Sequence, residues 1–140
     1  MKILLAVDGS HVTKRMLSYL AAHDELLGPG HDYAVVTVVA PVPGYAATFL
    51  EAKTLDGYYL EEAEAVFKPI RSFVEQQGRQ MRFVHLPGHA AEAIAAMAEG
   101  EHFDLIVMGA HGHSSLVNVA LGSVATGVLS RCKTPVLLIR

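Results

Sequence analysis

Two glycines, and then a glycine and a serine, follow an apolar run near the C-terminal end of the chain, in an arrangement suited to binding an anion. Residues 103–107 read Phe-Asp-Leu-Ile-Val, which is typical of a buried strand, and Gly109 and Gly112 come just after it. Without a Cβ, their backbone can adopt left-handed angles and another molecule can approach it closely. After nine more residues, Gly122 and Ser123 begin a helical pattern. Unpaired N–H groups, the helix dipole and the Ser123 hydroxyl would attract a phosphate there.

The spacing G-x-x-G, nine residues, then G-S resembles the nucleotide-binding motif in the ATP-binding branch of the universal stress protein family. It differs from the P-loop, because no lysine follows the glycines, and from G-x-G-x-x-G. The similarity extends from residues 3–8 to residues 134–139. It implies one universal stress protein domain over residues 1–140, an ATP or AMP ligand with Mg²⁺, and a homodimer formed largely through the last strand.

Composition narrows the class of protein further. The 140 residues are 51% hydrophobic and 18% charged, which excludes a disordered chain, and the net charge of −3 favours neither nucleic acid nor an anionic membrane as a partner. No segment reaches about eighteen apolar residues, and residues 3–7 are too short for a signal-peptide core. The single cysteine, Cys132, cannot form an internal disulfide. We therefore expect a soluble, cytoplasmic protein.

Apolar runs alternate with helical patterns along the chain. Five continuously apolar runs predict strands buried on both faces, over residues 2–7, 33–40, 81–86, 103–108 and 135–139. Ser10 is the expected N-cap of a first helix that the Gly-Pro-Gly of residues 28–30 would stop. An irregular loop is expected up to residue 53, then a long helix that Pro69 would kink or break. Two further helices are expected over residues 90–99 and 122–131, the last with Leu129 facing inward.

This alternation predicts an α/β fold with a parallel sheet, right-handed crossovers and helices on both faces. The strand order most consistent with it is 3-2-1-4-5, a Rossmann-like arrangement similar to that of adenine nucleotide α-hydrolases. In that order the switch point lies between strands one and four, where ligands bind beyond the carboxyl ends of the strands. Asp8 and Gly109 lie at those ends. Topology and motif therefore select the same place independently.

Asp8 has two interpretations. Its carboxylate could accept hydrogen bonds from the loop that opens the first helix, or it could bind a ribose hydroxyl or a nucleotide-bound Mg²⁺, which prefers oxygen ligands. The family resemblance favours the second. It also implies that Val38 contacts adenine, that Met108, Gly109 and Gly112 contact sugar and phosphate, and that Gly122, Ser123 and Val124 hold the phosphates.

His111 and His113 are interpreted as polar contacts to phosphate or water. Relatives often carry Arg or Lys at the position of His113, so less positive charge faces a triphosphate here. A metal site built from these two with His89 is the alternative, but no further ligand with fixed spacing supports it. The functional hypotheses are a nucleotide-dependent regulatory protein with an unidentified partner, a slow ATPase or phosphoryl transferase, and a nucleotide-free dimeric interaction module.

Overall fold

Five parallel strands form the centre of the molecule. The computed structural model describes residues 1–113, 118 and 120–140. Its strands are β1 (Lys2–Ala6), β2 (Asp32–Val39), β3 (Arg82–Pro87), β4 (Leu105–Gly109) and β5 (Val136–Ile139). They pair in the order β3-β2-β1-β4-β5, and every pair is parallel. The predicted strand order is confirmed, with strand ends within two residues of those expected.

Helices cover both faces of the sheet, as predicted. They are α1 (His11–Ala22), α2 (Asp24–Leu27), α3 (Gly44–Ala47), α4 (Ala52–Gln76), α5 (Ala90–Gly100) and α6 (Ser123–Arg131). Because successive side chains of a strand point to opposite faces, Ile3 and Leu5 of β1 pack with α1 and α4, whereas Leu4 packs with α5 and α6. The continuous apolar runs are explained by these two cores, one on each side of the sheet. None of the helices within the described ranges is long and apolar enough to cross a membrane.

The first helix ends earlier than expected. It stops at Ala22, and α2 follows before the Gly-Pro-Gly segment. Arg79, from the segment before β3, is buried and donates to the carbonyl oxygens of Leu20, at 3.4 Å, and Leu27, at 2.8 Å. These bonds satisfy carbonyl groups near the ends of two short helices instead of one long one. A distant arginine therefore sets this boundary, which local sequence does not reveal.

Three other expectations need correction. The segment expected to be an irregular loop contains α3, and α4 begins at Ala52. The long helix is not interrupted at Pro69, because buried Phe67 and Ile70 hold it to the core on either side of that residue. Leu129 is 48% exposed, since α6 turns Ala125 and Val128 inward instead.

Candidate functional site

A cleft opens beyond the carboxyl ends of β1 and β4, at the switch point of the sheet. Its volume is about 420 Å³, within the usual range of small-molecule sites. All ten residues predicted from the sequence line it, namely Asp8, Val38, Met108, Gly109, His111, Gly112, His113, Gly122, Ser123 and Val124. Two strands, one helix and the loops after β1 and β4 thus bring the predicted set together.

Asp8 has the structural role considered for it. Its Oδ1 accepts hydrogen bonds from the backbone N–H of Ser10, at 2.9 Å, and from the Thr13 hydroxyl, at 3.1 Å. These bonds hold the loop that opens α1. Within the described part of the chain no donor contacts the other oxygen, Oδ2, which lies against Gly112. The carboxylate is therefore fixed through one oxygen and offers the second to a ligand.

The environment of Asp8 keeps it ionised. Partial burial raises the pKa of this carboxyl, but hydrogen bonding by Ser10 and Thr13 and the nearby His113 imidazole outweigh burial, so the pKa is lowered overall. An ionised carboxylate with a free oxygen suits a ribose hydroxyl or a hard cation such as Mg²⁺.

The glycines are required by close packing, and not by left-handed backbone as the sequence suggested. Positive φ angles occur at Gly9, Gly78 and Gly88. A Cβ at Gly109 would instead lie 2.5 Å from Cγ1 of Val12, and one at Gly112 would lie 2.8 Å from Oδ2 of Asp8. The expectation of close approach is correct, but the approaching atoms belong to the protein itself.

The N-terminus of α6 faces the cleft. Gly122 is its N-cap residue and has no side chain that could cap the first turn. The Gly122 N–H donates to the Ala110 carbonyl at 2.7 Å, and the Ala110 N–H donates to the Ile139 carbonyl at the same distance. Ala110 thereby holds both ends of the loop between β4 and α6. The N–H groups at the start of the helix, from Ser123 onward, are left to attract an anion.

Two histidines lie on the loop that leaves β4. Nε2 of His113 donates to the carbonyl oxygen of Asp8 at 2.6 Å, which joins this loop to the one after β1. Nδ1 of His111 is buried and has no partner among the described residues. Within the same residues no group of three His, Cys, Asp or Glu side chains could hold a metal ion.

The comparisons with known proteins place the chain in a family. The model of the universal stress protein family matches residues 1–140, the whole length of this sequence. The chain belongs to the universal stress protein family. A universal stress protein of Thermus aquaticus is 36% identical over 138 residues, covering 99% of this chain and 97% of that one. A Synechocystis universal stress protein, Slr1230, is 31% identical over 99% of this chain, which spans only 42% of its length.

The solved structure of MJ0577, a universal stress protein of Methanocaldococcus jannaschii, shares this fold. It superposes with a TM-score of 0.82 and 28% sequence identity, over 99% of this chain and 94% of that chain. The Rossmann-like sheet and the strand order are therefore those of a universal stress protein.

Several residues that line or support the cleft were not predicted from the sequence. Thr13 fixes Asp8, Val12 packs against Gly109, and Ala90 and Ile94 of α5 complete the wall. Thr13 follows Asp8 by five residues and lies in the first turn of α1. A hydroxyl at that spacing after a strand end could have indicated the hydrogen bond to Asp8. Ala90 and Ile94 share one face of a helix at a spacing of four, but only the fold brings that face to the cleft.

The loop between β4 and α6 runs from Ala110 to Gly122. Residues 114–117 and 119 of it lie outside the described residues. Its described residues on the cleft include two histidines, and no lysine or arginine lines the described cleft.

Proposed function

We propose that this universal stress protein binds an adenine nucleotide in the cleft, with MgATP as the expected ligand, and that occupancy regulates a stress response through a partner. One observation carries the proposal. Ten residues predicted from the sequence, on four separate segments of the chain, line one cleft at the switch point of the sheet.

The chemistry of the cleft matches the parts of a nucleotide. Val38 supplies apolar contact for a base, together with Ile94 of α5. The free oxygen of Asp8 suits a ribose hydroxyl or the Mg²⁺ that accompanies ATP. The helix N-terminus at Ser123 suits phosphate.

Fold relatives of known ligand are consistent with this choice. One universal stress protein was solved in complex with cAMP, and one from Archaeoglobus fulgidus with dAMP. At 21% and 23% identity they share the fold with this chain, so the cleft residues carry the proposal.

Binding is favoured over rapid hydrolysis by the charges near the cleft. Phosphoryl transfer needs Lys or Arg beside the transferred group, together with metal and a positioned nucleophile. The chain has neither Lys nor Arg between Arg82 and Arg131. We expect ATP turnover to be slow at most.

A homodimer through β5 belongs to the same proposal. This strand is the edge of the sheet, and its residues Val136, Leu137 and Leu138 are only half-buried. An apolar edge strand is a ready site for pairing with a second copy. Sedimentation of the purified chain should give the mass of a dimer, and a monomer at every concentration would contradict this part.

Titration calorimetry of nucleotide-stripped protein tests the proposal. MgATP should bind with a Kd below about 1 mM, corresponding to about −4 kcal/mol, and MgGTP more weakly. In Gly122→Val the new side chain meets the Ala110 carbonyl, since its Cβ would lie 3.0 Å from that oxygen, and binding should be lost. Gly57→Val is the matched control, because a Cβ there meets nothing within 4 Å.

Two further measurements distinguish nucleotide binding, hydrolysis and a nucleotide-free interaction module. Asp8→Asn keeps the Oδ1 acceptor but removes the charge. In this variant the affinity for ATP should be the same with Mg²⁺ as in the presence of a metal chelator. Phosphate release measured alongside would reveal hydrolysis. Absence of heat with every adenine nucleotide, from folded protein, would replace the proposal with the nucleotide-free interaction module.

A further inference from the structure

The segment that follows β2 lies outside the core along its whole length. Residues 40–62, all of which the structure describes, comprise α3 and the first turns of α4, and none of them is buried. The residues that hold α4 to the core lie further along the helix, namely Ala63, Phe67, Ile70 and Val74. Helices shorter than about 12–15 residues are only marginally stable on their own in water. We call residues 40–62 the α3–α4 surface.

Large apolar side chains are concentrated on the α3–α4 surface. It carries five of the eight large hydrophobic side chains that are exposed in the described part of the chain, namely Tyr45, Phe49, Leu50, Tyr58 and Leu60. Phe49 is 87% exposed and Tyr45 is 78% exposed. Their spacing of four residues places them on one side of the α3 turn, which continues to Phe49 because its N–H donates to the Ala46 carbonyl. Exposed apolar side chains clustered in this way mark sites of protein interaction.

The two helices of the α3–α4 surface lie side by side. The backbone N–H of Val42, just before α3, donates to the hydroxyl of Tyr59 in α4 at 3.2 Å. The Tyr59 ring in turn lies edge-on to the Tyr58 ring, with 5.7 Å between the ring centroids. A single partner can therefore contact the apolar side chains of both helices.

The charge of the α3–α4 surface selects the kind of partner. The surface has four carboxylates and one lysine, a net charge of −3, which equals that of the entire chain, so the remaining residues are neutral overall. All four carboxylates are exposed, and none forms an ion pair with another described residue: Glu51, Asp56, Glu61 and Glu62. A second copy of this surface, a nucleic acid or an anionic membrane would bring like charges together. A cationic partner is therefore favoured.

We propose that the α3–α4 surface binds a cationic amphipathic helix of a partner protein. The apolar face of that helix packs against the exposed aromatic and leucine side chains, with Phe49 and Tyr45 as anchors, since aromatic residues dominate the binding energy of many interfaces. Its lysine and arginine side chains pair with the carboxylates and contact the faces of the tyrosine rings. None of the described residues that line the nucleotide cleft belongs to this surface, so the inference goes beyond the proposed function.

The test uses the full chain and a synthetic peptide of about fourteen residues, in which leucine and lysine are arranged as an amphipathic helix. Fluorescence anisotropy of the labelled peptide should show saturable binding, and amide NMR shifts of the protein should concentrate within residues 44–62. A control peptide with glutamate in place of every lysine should bind at least about tenfold more weakly, because its charge has the same sign as that of the surface.

A matched pair of leucine variants tests the apolar contact. Leu60→Ser should weaken binding of the lysine peptide about fivefold, whereas Leu26→Ser should leave it unchanged. Both leucines lie in helices and are similarly exposed, at 48% and 47%, but Leu26 belongs to α2. Because both side chains are on the surface, urea denaturation should give the same midpoint for the two variants.

A matched pair of double variants tests the charge. Glu61→Gln with Glu62→Gln should weaken binding of the lysine peptide about fivefold. Glu25→Gln with Glu75→Gln is the control, because it removes the same number of exposed carboxylates from elsewhere on the protein and should not change the affinity.

The outcomes distinguish this inference from the nucleotide proposal. Leu60→Ser should leave MgATP affinity unchanged, and Gly122→Val should bind the lysine peptide as the wild type does. Absence of peptide binding, equal binding of the two peptides, or equal affinity of Leu60→Ser and Leu26→Ser for the lysine peptide would overturn the inference. So would sedimentation showing a dimer that dissociates in Leu60→Ser but not in Leu26→Ser, which would make a second copy of the chain the occupant.

Discussion

The carboxylate of Asp8 and the main chain at Gly112 are in such close contact that a Cβ on Gly112 would lie 2.8 Å from Oδ2. The loop after the first strand and the loop after the fourth therefore lie close together. His113 strengthens the same junction through its bond to the Asp8 carbonyl. The free oxygen of Asp8 thus lies beside a residue 104 positions away in the sequence.

Gly112→Ala should displace this carboxylate. Because only the end of a side chain must move, the free energy of unfolding should change by less than about 1 kcal/mol, while MgATP affinity should fall about tenfold. Calorimetry and urea denaturation measure the two effects. Gly30→Ala is the control, since its Cβ meets nothing within 4 Å. Unchanged affinity would show that Asp8 does not contact the nucleotide.

Gly109→Ala should instead act on stability. Its Cβ would lie 2.5 Å from Cγ1 of Val12 and 2.8 Å from the His111 carbonyl oxygen, so backbone has to shift. Overpacking of this kind costs about 1–3 kcal/mol. Gly57→Ala, in an open position of α4, should stabilise the protein by about 1 kcal/mol. Urea denaturation of both variants gives the comparison, and similar values for the two would refute the packing argument.

Asp8 should contribute to stability in a pH-dependent way. Its pKa is lower in the folded protein than in the unfolded chain, where it is about 3.9. Its contribution is therefore fully present above that value and is lost as pH falls through the folded pKa. The difference in unfolding free energy between wild type and Asp8→Asn should be constant from about pH 7 to about pH 5 and then shrink towards about pH 3. A difference that stays constant throughout would contradict the lowered pKa.

A fixed positive charge at position 113 should favour longer phosphate chains. His113→Arg retains a donor for the Asp8 carbonyl and adds a charge where the cleft has no lysine or arginine among its described residues. The ratio of ATP to AMP affinity should rise about fivefold, corresponding to about 1 kcal/mol. Calorimetry with both ligands at constant ionic strength measures the ratio. An equal gain for ATP and AMP would place this side chain away from the terminal phosphates.

Arg79 should contribute more to the stability of the protein than its ion pair with Asp24 does alone. Its guanidinium is buried and contacts two carbonyl oxygens and Asp24, whose own side chain is 69% exposed. Arg79→Leu should cost about 2–3 kcal/mol, because buried carbonyl groups lose a donor, whereas Asp24→Asn should cost less than about 1 kcal/mol. Chemical denaturation distinguishes them. Equal costs would mean that the ion pair carries the effect.

The sequence by itself was sufficient for the order of the strands and for the helical layers on both faces of the sheet. A continuous apolar run such as residues 3–5 is buried completely only when both faces of its strand are covered. This requirement, together with the helices predicted between the strands, indicated a parallel sheet. The position of the cleft followed as well, because the switch point and the glycine motif selected the same strand ends.

Only the tertiary structure decided how the residues of the cleft are held. Val12 against Gly109 and Arg79 at the ends of α1 and α2 are contacts between segments distant in sequence, and local patterns carry no signal for them. The periodicity of apolar residues shows which face of a helix or strand is buried. It does not show which element packs against that face, or why a glycine is needed there, because those contacts form only in the folded chain.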